Sequence, residues 1–169
     1  MKIIRIDSVD STNLYAKRIS NEIEENVLII ANDQTKGYGT KNRKWYSNKD
    51  SIICSFLLKN KKNIPLDYSY RIGTIISNVI NKICNVNTYV KKPNDIYLNN
   101  KKIGGILIET QYLLNNINFT IIGIGLNINQ KEFPDDIANI ATSLFMETKN
   151  IYDNEEIING LIKEIEREE

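Results

Sequence analysis

The sequence contains no histidine and only two cysteines, Cys54 and Cys84. Both cysteines lie in apolar surroundings, far apart and without the paired spacing of metal ligands. A zinc site needs clustered Cys or His ligands, and a Cys–His nucleophile needs a histidine. We therefore expect no protein-bound metal and predict two buried, reduced thiols, as in cytoplasmic proteins.

An excess of one charge is also missing, because 22 basic residues face 21 acidic ones. This balance is unlike that of a general nucleic-acid or membrane-surface binder. No apolar run reaches the roughly 18 residues of a membrane span, and the N-terminus lacks an apolar signal region. We expect a cytoplasmic protein with no DNA or membrane partner, folded as a single domain over residues 1–169.

Hydrophobic periodicity predicts helices mixed with hairpin-connected strands. The pattern is that of an α+β domain with a mixed, mostly antiparallel sheet flanked by helices. The predicted strands are 2–6, 27–31, 51–58, 88–90, 96–98, 103–108 and 117–125, with a turn at Asn115-Asn116. The predicted helices begin between Asp10 and Thr12, cover 72–83 and 154–168, and include a short one from Phe133 to Ile140.

Residues 91–109 hold a lysine-rich turn followed by a glycine pair. Asn99 and Asn100 favour a hairpin turn because asparagine tolerates positive φ. The hairpin would place a lysine on a strand beside Gly104 and Gly105, where backbone amides can approach an anion. Turn chemistry without a ligand is the alternative interpretation.

Three further polar segments are candidates for a site. Residues 34–45 combine two glycines, several cations and the single tryptophan, which suits a phosphate and a flat ring; a solvated basic loop is the alternative. Ser11-Thr12-Asn13 begins a predicted helix and either caps it or binds a ligand. Asn127 ends a strand, where its amide either faces a pocket or forms a loop.

These four segments, in this order and spacing, resemble the catalytic domain of biotin protein ligases. They read STN at 11–13, QTKGYGTKNRKW at 34–45, KKPND with KIGGIL at 91–107, and GIGLN at 123–127. The resemblance covers about residues 4–144. It implies a sheet like that of class II aminoacyl-tRNA synthetases and a two-step reaction. Biotin and Mg-ATP would give biotinyl-5'-AMP, which then biotinylates a lysine of a biotin carboxyl carrier protein domain.

The resemblance also implies residue roles. Ser11, Thr12, Asn13, Gln34 and Gly105 would bind biotin, the first four through its ureido ring.

The catalytic residues would be Lys102, Asp95 and Arg43. Lys102 would contact the biotin carboxylate and the α-phosphate, and Asp95 would orient the incoming lysine. The nucleotide would be bound by Tyr38, Gly39, Thr40, Trp45, Lys91, Asn94 and Asn127.

This chain departs from the family pattern at four positions. Tyr38 and Thr40 replace the first two arginines of the family loop, Asn42 replaces its third glycine, and Lys92 replaces a tryptophan. The second of these arginines helps to retain the adenylate, so with Thr40 in its place we expect weaker retention. The loop lysines Lys36, Lys41 and Lys44 supply charge but do not reproduce the planar fork of arginine. The family's winged helix and small β-barrel domain are not found in the sequence, so we expect no DNA-binding repressor role. We also expect a monomer or weak homodimer.

Two alternatives stay open. A degenerate member would bind biotin without efficient transfer, as Thr40 and Asn42 suggest. A lipoate ligase or octanoyltransferase would share the related fold and a lysine beside the acyl group.

The loop departure generates the first testable prediction. Thr40→Arg should slow the escape of biotinyl-5'-AMP, because it restores a bidentate cation to the loop. The release rate is measured by trapping free adenylate during turnover, with Thr40→Lys as the control for charge alone. Equal or faster release from the arginine variant would contradict the prediction.

Overall fold

The computed structural model describes residues 1–59 and 61–168. The strands within these residues are β1 (Lys2–Val9), β2 (Val27–Gln34), β3 (Ser51–Leu58), β4 (Tyr89–Lys91), β5 (Asp95–Leu98), β6 (Lys101–Leu113) and β7 (Asn116–Asn127). The helices are α1 (Thr12–Ile19), α2 (Tyr68–Cys84), α3 (Leu144–Thr148) and α4 (Asn154–Glu168), with a 3-10 turn at Thr40–Asn42.

The strands form one seven-stranded sheet in the order β1-β2-β3-β7-β6-β5-β4. β1 and β2 are parallel, whereas the pairs β2-β3, β4-β5 and β5-β6 are antiparallel. This sheet and its helices confirm the predicted α+β class.

The chain divides into two compact units. Unit 1 comprises Met1–Leu66 and Ile106–Gly125, and unit 2 comprises Asp67–Gly105 and Leu126–Glu169. The single-domain expectation stays a prediction.

Unit 1 is built on a fully buried strand. Every residue of β3 is buried, as its continuous apolar run predicted. α1 packs on β2 and β3 because Ala16 supplies a small apolar contact on its inner face. The central core cluster contains Ala16, Val27, Ile29, Leu57, Phe119 and Ile121.

Unit 2 pairs two amphipathic helices. α2 packs against β4 and β5, and α4 packs against α2. The predicted stripe of α2 is confirmed, with Ile75 and Ile83 half-buried at its margins and Ile72, Ile76, Val79 and Ile80 buried. In α4, Ile162 is half-buried, and the buried positions are Ile157, Ile158, Leu161 and Ile165.

Two tight turns use residues in left-handed conformations. Asn99 and Asn100 have φ of 48° and 64°, which confirms the hairpin between β5 and β6. The next turn was predicted one residue too late. It uses Leu114 and Asn115, with φ of 47° and 66°, and Asn116 already belongs to β7.

The helix predicted from Phe133 to Ile140 was wrong, because this segment forms successive turns. Ile140 O accepts a hydrogen bond from Lys102 N–H at 2.9 Å, and Thr142 N–H donates to Lys102 O at 2.9 Å. The extended pairing with β6 competes with helical hydrogen bonds and leaves Ile140 exposed. Sequence analysis also missed α3, which is capped when the Ser143 hydroxyl accepts a bond from Met146 N–H.

Both cysteines are free and buried, as predicted. Burial raises the pKa of Cys54 to about 12, and burial followed by the charge of Glu156 raises the pKa of Cys84 to about 11. Both thiols are therefore protonated at neutral pH. Among the described residues, no helix is long and apolar enough to cross a membrane.

The packing of α4 on α2 gives a prediction about stability. A Cβ at Gly160 would lie 2.8 Å from Val79 Cγ1 and 3.0 Å from Ile83 Cδ1. Gly160→Ala should gain about 1 kcal/mol of helix propensity but lose about 1–3 kcal/mol to overpacking, so the free energy of unfolding should fall. Urea denaturation measures this free energy of unfolding.

The matched control is Asn159→Ala on the exposed side of the same helix. It adds helix propensity without a steric contact, so it should stabilise slightly. If Gly160→Ala stabilised as much as this control, the close packing of the two helices would be refuted.

Candidate functional site

The polar residues that begin α1 are buried in unit 1. Ser11 occupies the N-cap position, but its side chain makes no capping hydrogen bond. Thr12 N–H donates to Gln34 Oε1 at 2.8 Å. The Ser55 hydroxyl lies 2.7 Å from Thr12 Oγ1 and 2.6 Å from Asn13 Oδ1. We call Thr12, Asn13, Gln34 and Ser55 the polar cluster.

The polar cluster is uncharged, and three of its four side chains are buried. Neutral polar groups are stable in such a place only when their donors and acceptors are paired. A cluster of this kind suits a ligand that is itself neutral and rich in hydrogen-bonding groups. The predicted binding of a ligand by Ser11, Thr12 and Asn13 stays a prediction.

Two glycines leave room for members of the cluster. A Cβ at Gly123 would lie 2.3 Å from Asn13 Oδ1, which is closer than any real Cβ contact. A Cβ at Gly37 would lie 2.8 Å from Gln34 Nε2. The side chains of Asn13 and Gln34 therefore depend on glycine at these two positions.

Glu109, near the middle of β6, joins the cluster to other elements. Its carboxylate accepts hydrogen bonds from Asn13 Nδ2 at 2.8 Å, Lys17 Nζ at 2.7 Å and the Tyr38 hydroxyl at 3.0 Å. These three donors come from α1 and from the segment after β2. Three donors on a single half-buried carboxylate fix its orientation.

The pKa values of this network shift in mutually consistent directions. Burial would raise the pKa of Glu109, but the hydrogen bonds from Lys17 and Asn13 and the charge of Lys17 outweigh it and lower the pKa. Burial would lower the pKa of Lys17, yet the hydrogen bond and charge of Glu109 raise it. Burial, followed by the charge of Glu109, raises the pKa of Tyr38. Carboxylate, ammonium and neutral phenol therefore coexist at neutral pH.

Residues 37–45, called the loop below, fold into a tight hairpin. Gly39 N–H donates to Arg43 O at 2.8 Å, and the Arg43 guanidinium donates to Thr40 Oγ1 at 3.1 Å. Asn42 has φ of 56°. Asparagine tolerates this conformation, so its replacement of a family glycine is accommodated.

The end of the loop lies against β7. The backbone N–H of Trp45 donates to Gly37 O at 2.9 Å. A Cβ at Gly125 would lie 2.5 Å from Trp45 Cε2, so the indole ring covers the position where that side chain would stand.

In unit 2, the two predicted catalytic residues of the hairpin form an ion pair. Lys102 Nζ lies 2.7 Å from Asp95 Oδ1, and the two side chains are 28% and 26% exposed. Asp95 pairs with Gly105 across β5 and β6, which brings all three residues to one place on the hairpin. The ion pair holds the Lys102 ammonium partly shielded from solvent. A charge in such a place interacts with other charges more strongly than it would in water.

The lysine pair before the hairpin is exposed and stacked on aromatic rings. Lys91 Nζ lies 4.8 Å from the Tyr97 ring centroid, and Lys92 Nζ lies 4.7 Å from that of Tyr70. Lys92 thus packs by a cation–π contact where the family has tryptophan. Asn94, in the turn that follows, is half-buried.

Asn127 is buried in unit 2, and both ends of its amide are engaged. Its Nδ2 donates to Thr142 O at 3.1 Å, and its Oδ1 accepts from Gln130 Nε2 at 2.9 Å. Each end retains capacity for one more hydrogen bond. Its predicted contact with adenine stays a prediction.

The predicted site residues fall in both units. Those in unit 1 are Ser11, Thr12, Asn13, Gln34, Tyr38, Gly39, Thr40, Arg43 and Trp45; those in unit 2 are Lys91, Asn94, Asp95, Lys102, Gly105 and Asn127. Sequence analysis missed two partners of these residues, Ser55 of the polar cluster and Glu109. The signal for Glu109 was a lone carboxylate within an apolar strand, which is costly unless the carboxylate is paired.

Residues 5–129 match the family described as the Biotin/lipoate A/B protein ligase family. The chain belongs to this family.

Several family members are similar over nearly the whole chain. The bifunctional ligase/repressor BirA of Bacillus subtilis is 35% identical over 84% of this chain and 46% of its own length. The BirA of Bacillus spizizenii is 33% identical over 95% of this chain and 51% of its own length. The chain thus spans about half the length of these curated relatives.

Solved structures of the family share the fold. Biotin protein ligase from Aquifex aeolicus, in complex with biotin and ATP, superposes with a TM-score of 0.86 at 32% identity. The alignment covers 98% of this chain and 69% of that one. The predicted resemblance to biotin protein ligases is confirmed.

The contact between Trp45 and Gly125 is directly testable. Gly125→Ala should displace the indole, because the added carbon cannot stand 2.5 Å from Cε2. Trp45 is the single tryptophan, so a red shift of its emission reports more solvent around the ring.

Gly39→Ala is the matched control for this prediction. The atom nearest to the new Cβ would be Arg43 O, at 3.9 Å, and the Gly39 φ of −117° suits any residue. Its emission should stay unchanged. An unshifted spectrum for Gly125→Ala would show that the ring does not lie against this glycine.

Proposed function

We propose that this chain activates biotin with Mg-ATP and transfers it to a lysine of a biotin carboxyl carrier protein domain. The observation that carries the proposal is the buried, neutral polar cluster of unit 1. The ureido ring of biotin is neutral and offers two N–H donors and one carbonyl acceptor. Thr12, Asn13 and Gln34, with Ser11 beside them, supply the complementary hydrogen-bonding groups. Relatives with bound biotin and ATP support the same substrates.

In the first step a carboxylate oxygen of biotin attacks the α-phosphorus of ATP. The bond from that phosphorus to the β,γ-diphosphate breaks, and pyrophosphate leaves with its electrons. Two anions must approach each other, so the barrier falls when a fixed cation neutralises them. Lys102 is this cation. In the resting protein Asp95 orients the ammonium, because its Oδ1 lies 2.7 Å from Lys102 Nζ. Arg43 supplies a second cation from the loop. Magnesium enters with the nucleotide as part of the substrate.

In the second step the carrier lysine attacks the acyl carbon of biotinyl-5'-AMP. The new amide bond forms as the acyl–phosphate bond breaks and AMP leaves. The attacking nitrogen must lose a proton. Asp95 is the carboxylate that orients this lysine or accepts its proton once Lys102 turns to the phosphate.

The nucleotide contacts follow from the same assignment. Gly39 and Thr40 present loop backbone and hydroxyl groups to phosphate, and Trp45 supplies an aromatic face to the adenylate. Lys91 and Asn94 supply a cation and an amide from the turn before β5, and Asn127 binds adenine. Gly105 lets the β6 backbone approach biotin without a side chain.

The polar cluster favours biotin over lipoate. The dithiolane ring of lipoate has no N–H donor or carbonyl, so it would make none of the hydrogen bonds that Thr12, Asn13 and Gln34 offer to a ureido ring. Biotin should therefore bind more tightly than lipoate.

We place the reaction in the cytoplasm, where buried thiols such as Cys54 and Cys84 stay reduced. The chain acts as a monomer or weak homodimer. Its formal net charge of +1 gives it no general attraction to DNA.

Lys102→Ala tests the assignment. Biotin-dependent exchange of pyrophosphate into ATP should fall by at least about 100-fold, because a preorganised charge contact in the transition state is lost. Lys101→Ala, one residue earlier on β6, is the control and should retain exchange. Circular dichroism verifies that both variants fold.

Exchange by Lys102→Ala at the wild-type rate would refute the catalytic role of this lysine. Transfer to a carrier domain, followed by mass spectrometry, then tests the second step with Asp95→Asn. A larger loss of transfer than of exchange is the expected split for that variant.

A further inference from the structure

Glu109 is the point where three separate parts of unit 1 meet. The chain reaches it along β6, and its partners are Asn13 and Lys17 on α1 and Tyr38 in the loop. Only one of these partners, Lys17, carries a charge. The carboxylate is therefore shared between an ion pair and two neutral donors.

The hydrogen bond from Tyr38 connects Glu109 to the loop. Tyr38 is the side chain that stands where the family loop has its first arginine, and its hydroxyl lies 3.0 Å from Glu109 Oε2. Asn13 Nδ2 lies 2.8 Å from the same oxygen. One oxygen atom thus fixes both a member of the polar cluster and the first turn of the loop.

Asn13 has little freedom to move elsewhere. Its Oδ1 lies 2.6 Å from the Ser55 hydroxyl and against Gly123, so its amide is held from both ends. Without Glu109, the Nδ2 end of a buried amide would lose its partner, which destabilises this orientation.

We infer that Glu109 is a positioning residue that orients Asn13 for the head group of biotin and anchors the loop through Tyr38. The inference rests on the proposed function for the identity of the ligand. It gives Tyr38 the role of an anchor for the loop, in place of the nucleotide contact expected from the sequence. Lys17 neutralises the carboxylate, so that it stays ionised while half-buried.

Tyr38→Phe tests the anchor by removing a single oxygen. Trp45 lies in the same loop as Tyr38, residues 37–45, and is the single tryptophan, so its fluorescence reports on the loop without any ligand. Acrylamide should quench Trp45 more strongly in the variant. The Kd for biotin, measured by calorimetry, should rise about tenfold, as expected for a lost hydrogen bond to a charged group.

Tyr15→Phe is the matched control. Tyr15 lies on α1 in the same unit, and its ring contacts the Arg18 guanidinium at 5.6 Å, away from the bonds to Glu109. The same atom is removed, but neither quenching nor biotin affinity should change.

Glu109→Gln supplies a second readout that general loss of stability would not imitate. The amide keeps the size of the side chain but sets one NH₂ group against the donors of Asn13, Lys17 or Tyr38. The KM for biotin in pyrophosphate exchange should rise about tenfold or more while kcat stays near that of the wild type, because the variant loses binding and not transition-state contacts.

Unchanged quenching in Tyr38→Phe would overturn the anchor, and stronger quenching with unchanged biotin affinity would overturn its link to biotin binding. A fall in kcat without a rise in KM for Glu109→Gln would also contradict a positioning role. Failure of the wild-type protein to bind biotin would refute the proposed function instead. The quenching comparison needs no ligand and would still decide whether Tyr38 holds the loop.

Discussion

A buried amide must satisfy its polar atoms, and in unit 1 this requirement falls on Asn13. Its oxygen lies beside the Ser55 hydroxyl, and its nitrogen donates to Glu109. Glycine at position 123 is what allows the side chain to lie there. The start of α1, the middle of β6 and one face of β7 are therefore constrained by a single side chain.

The polar cluster is neutral, and the charged side chain hydrogen-bonded to it is Glu109. Glu109 is ionised because Lys17 pairs with it, and the combined hydrogen bonds lower its pKa against the effect of burial. A folded-state pKa below the unfolded value means that the network contributes stability above the unfolded pKa. That contribution is lost as the pH falls through the folded pKa. The loop shares this dependence through Tyr38.

Unit 2 holds the lysine proposed for catalysis in an ion pair that is partly open to solvent. Lys102 lies two residues before the glycine pair on β6, and Asp95 is its partner across the hairpin. The ion pair is about a quarter exposed on each side, so the lysine can exchange one anion for another at modest cost. A fully buried pair would resist this exchange.

Periodicity predicted the elements that bury a regular stripe or run. The buried run of β3 and the spaced isoleucines of α2 leave one placement that covers apolar surface, so both were predicted correctly. The helix predicted around Ile137 was wrong because the long-range hydrogen bond between Lys102 N–H and Ile140 O competes with local helical bonds. α3 has five residues and one buried side chain, which is too little for a periodic signal.

The site was predictable only where residue types are unusual for their position. Polar Thr12 and Asn13 at a helix start and the Asn99-Asn100 hairpin gave local signals. Glu109 gave almost none, because its partners lie 71 to 96 residues away in sequence and meet it only after folding. Contacts of that separation are set by the sheet order and not by local pattern.

The most direct test of the account is pyrophosphate exchange into ATP by the wild-type chain, with biotin and lipoate compared at equal concentration. It reports adenylation without a carrier protein. We predict exchange that depends on biotin and is absent with lipoate. Exchange with lipoate and not with biotin would contradict the role assigned to the polar cluster, and no exchange with either acid would contradict the ligase chemistry.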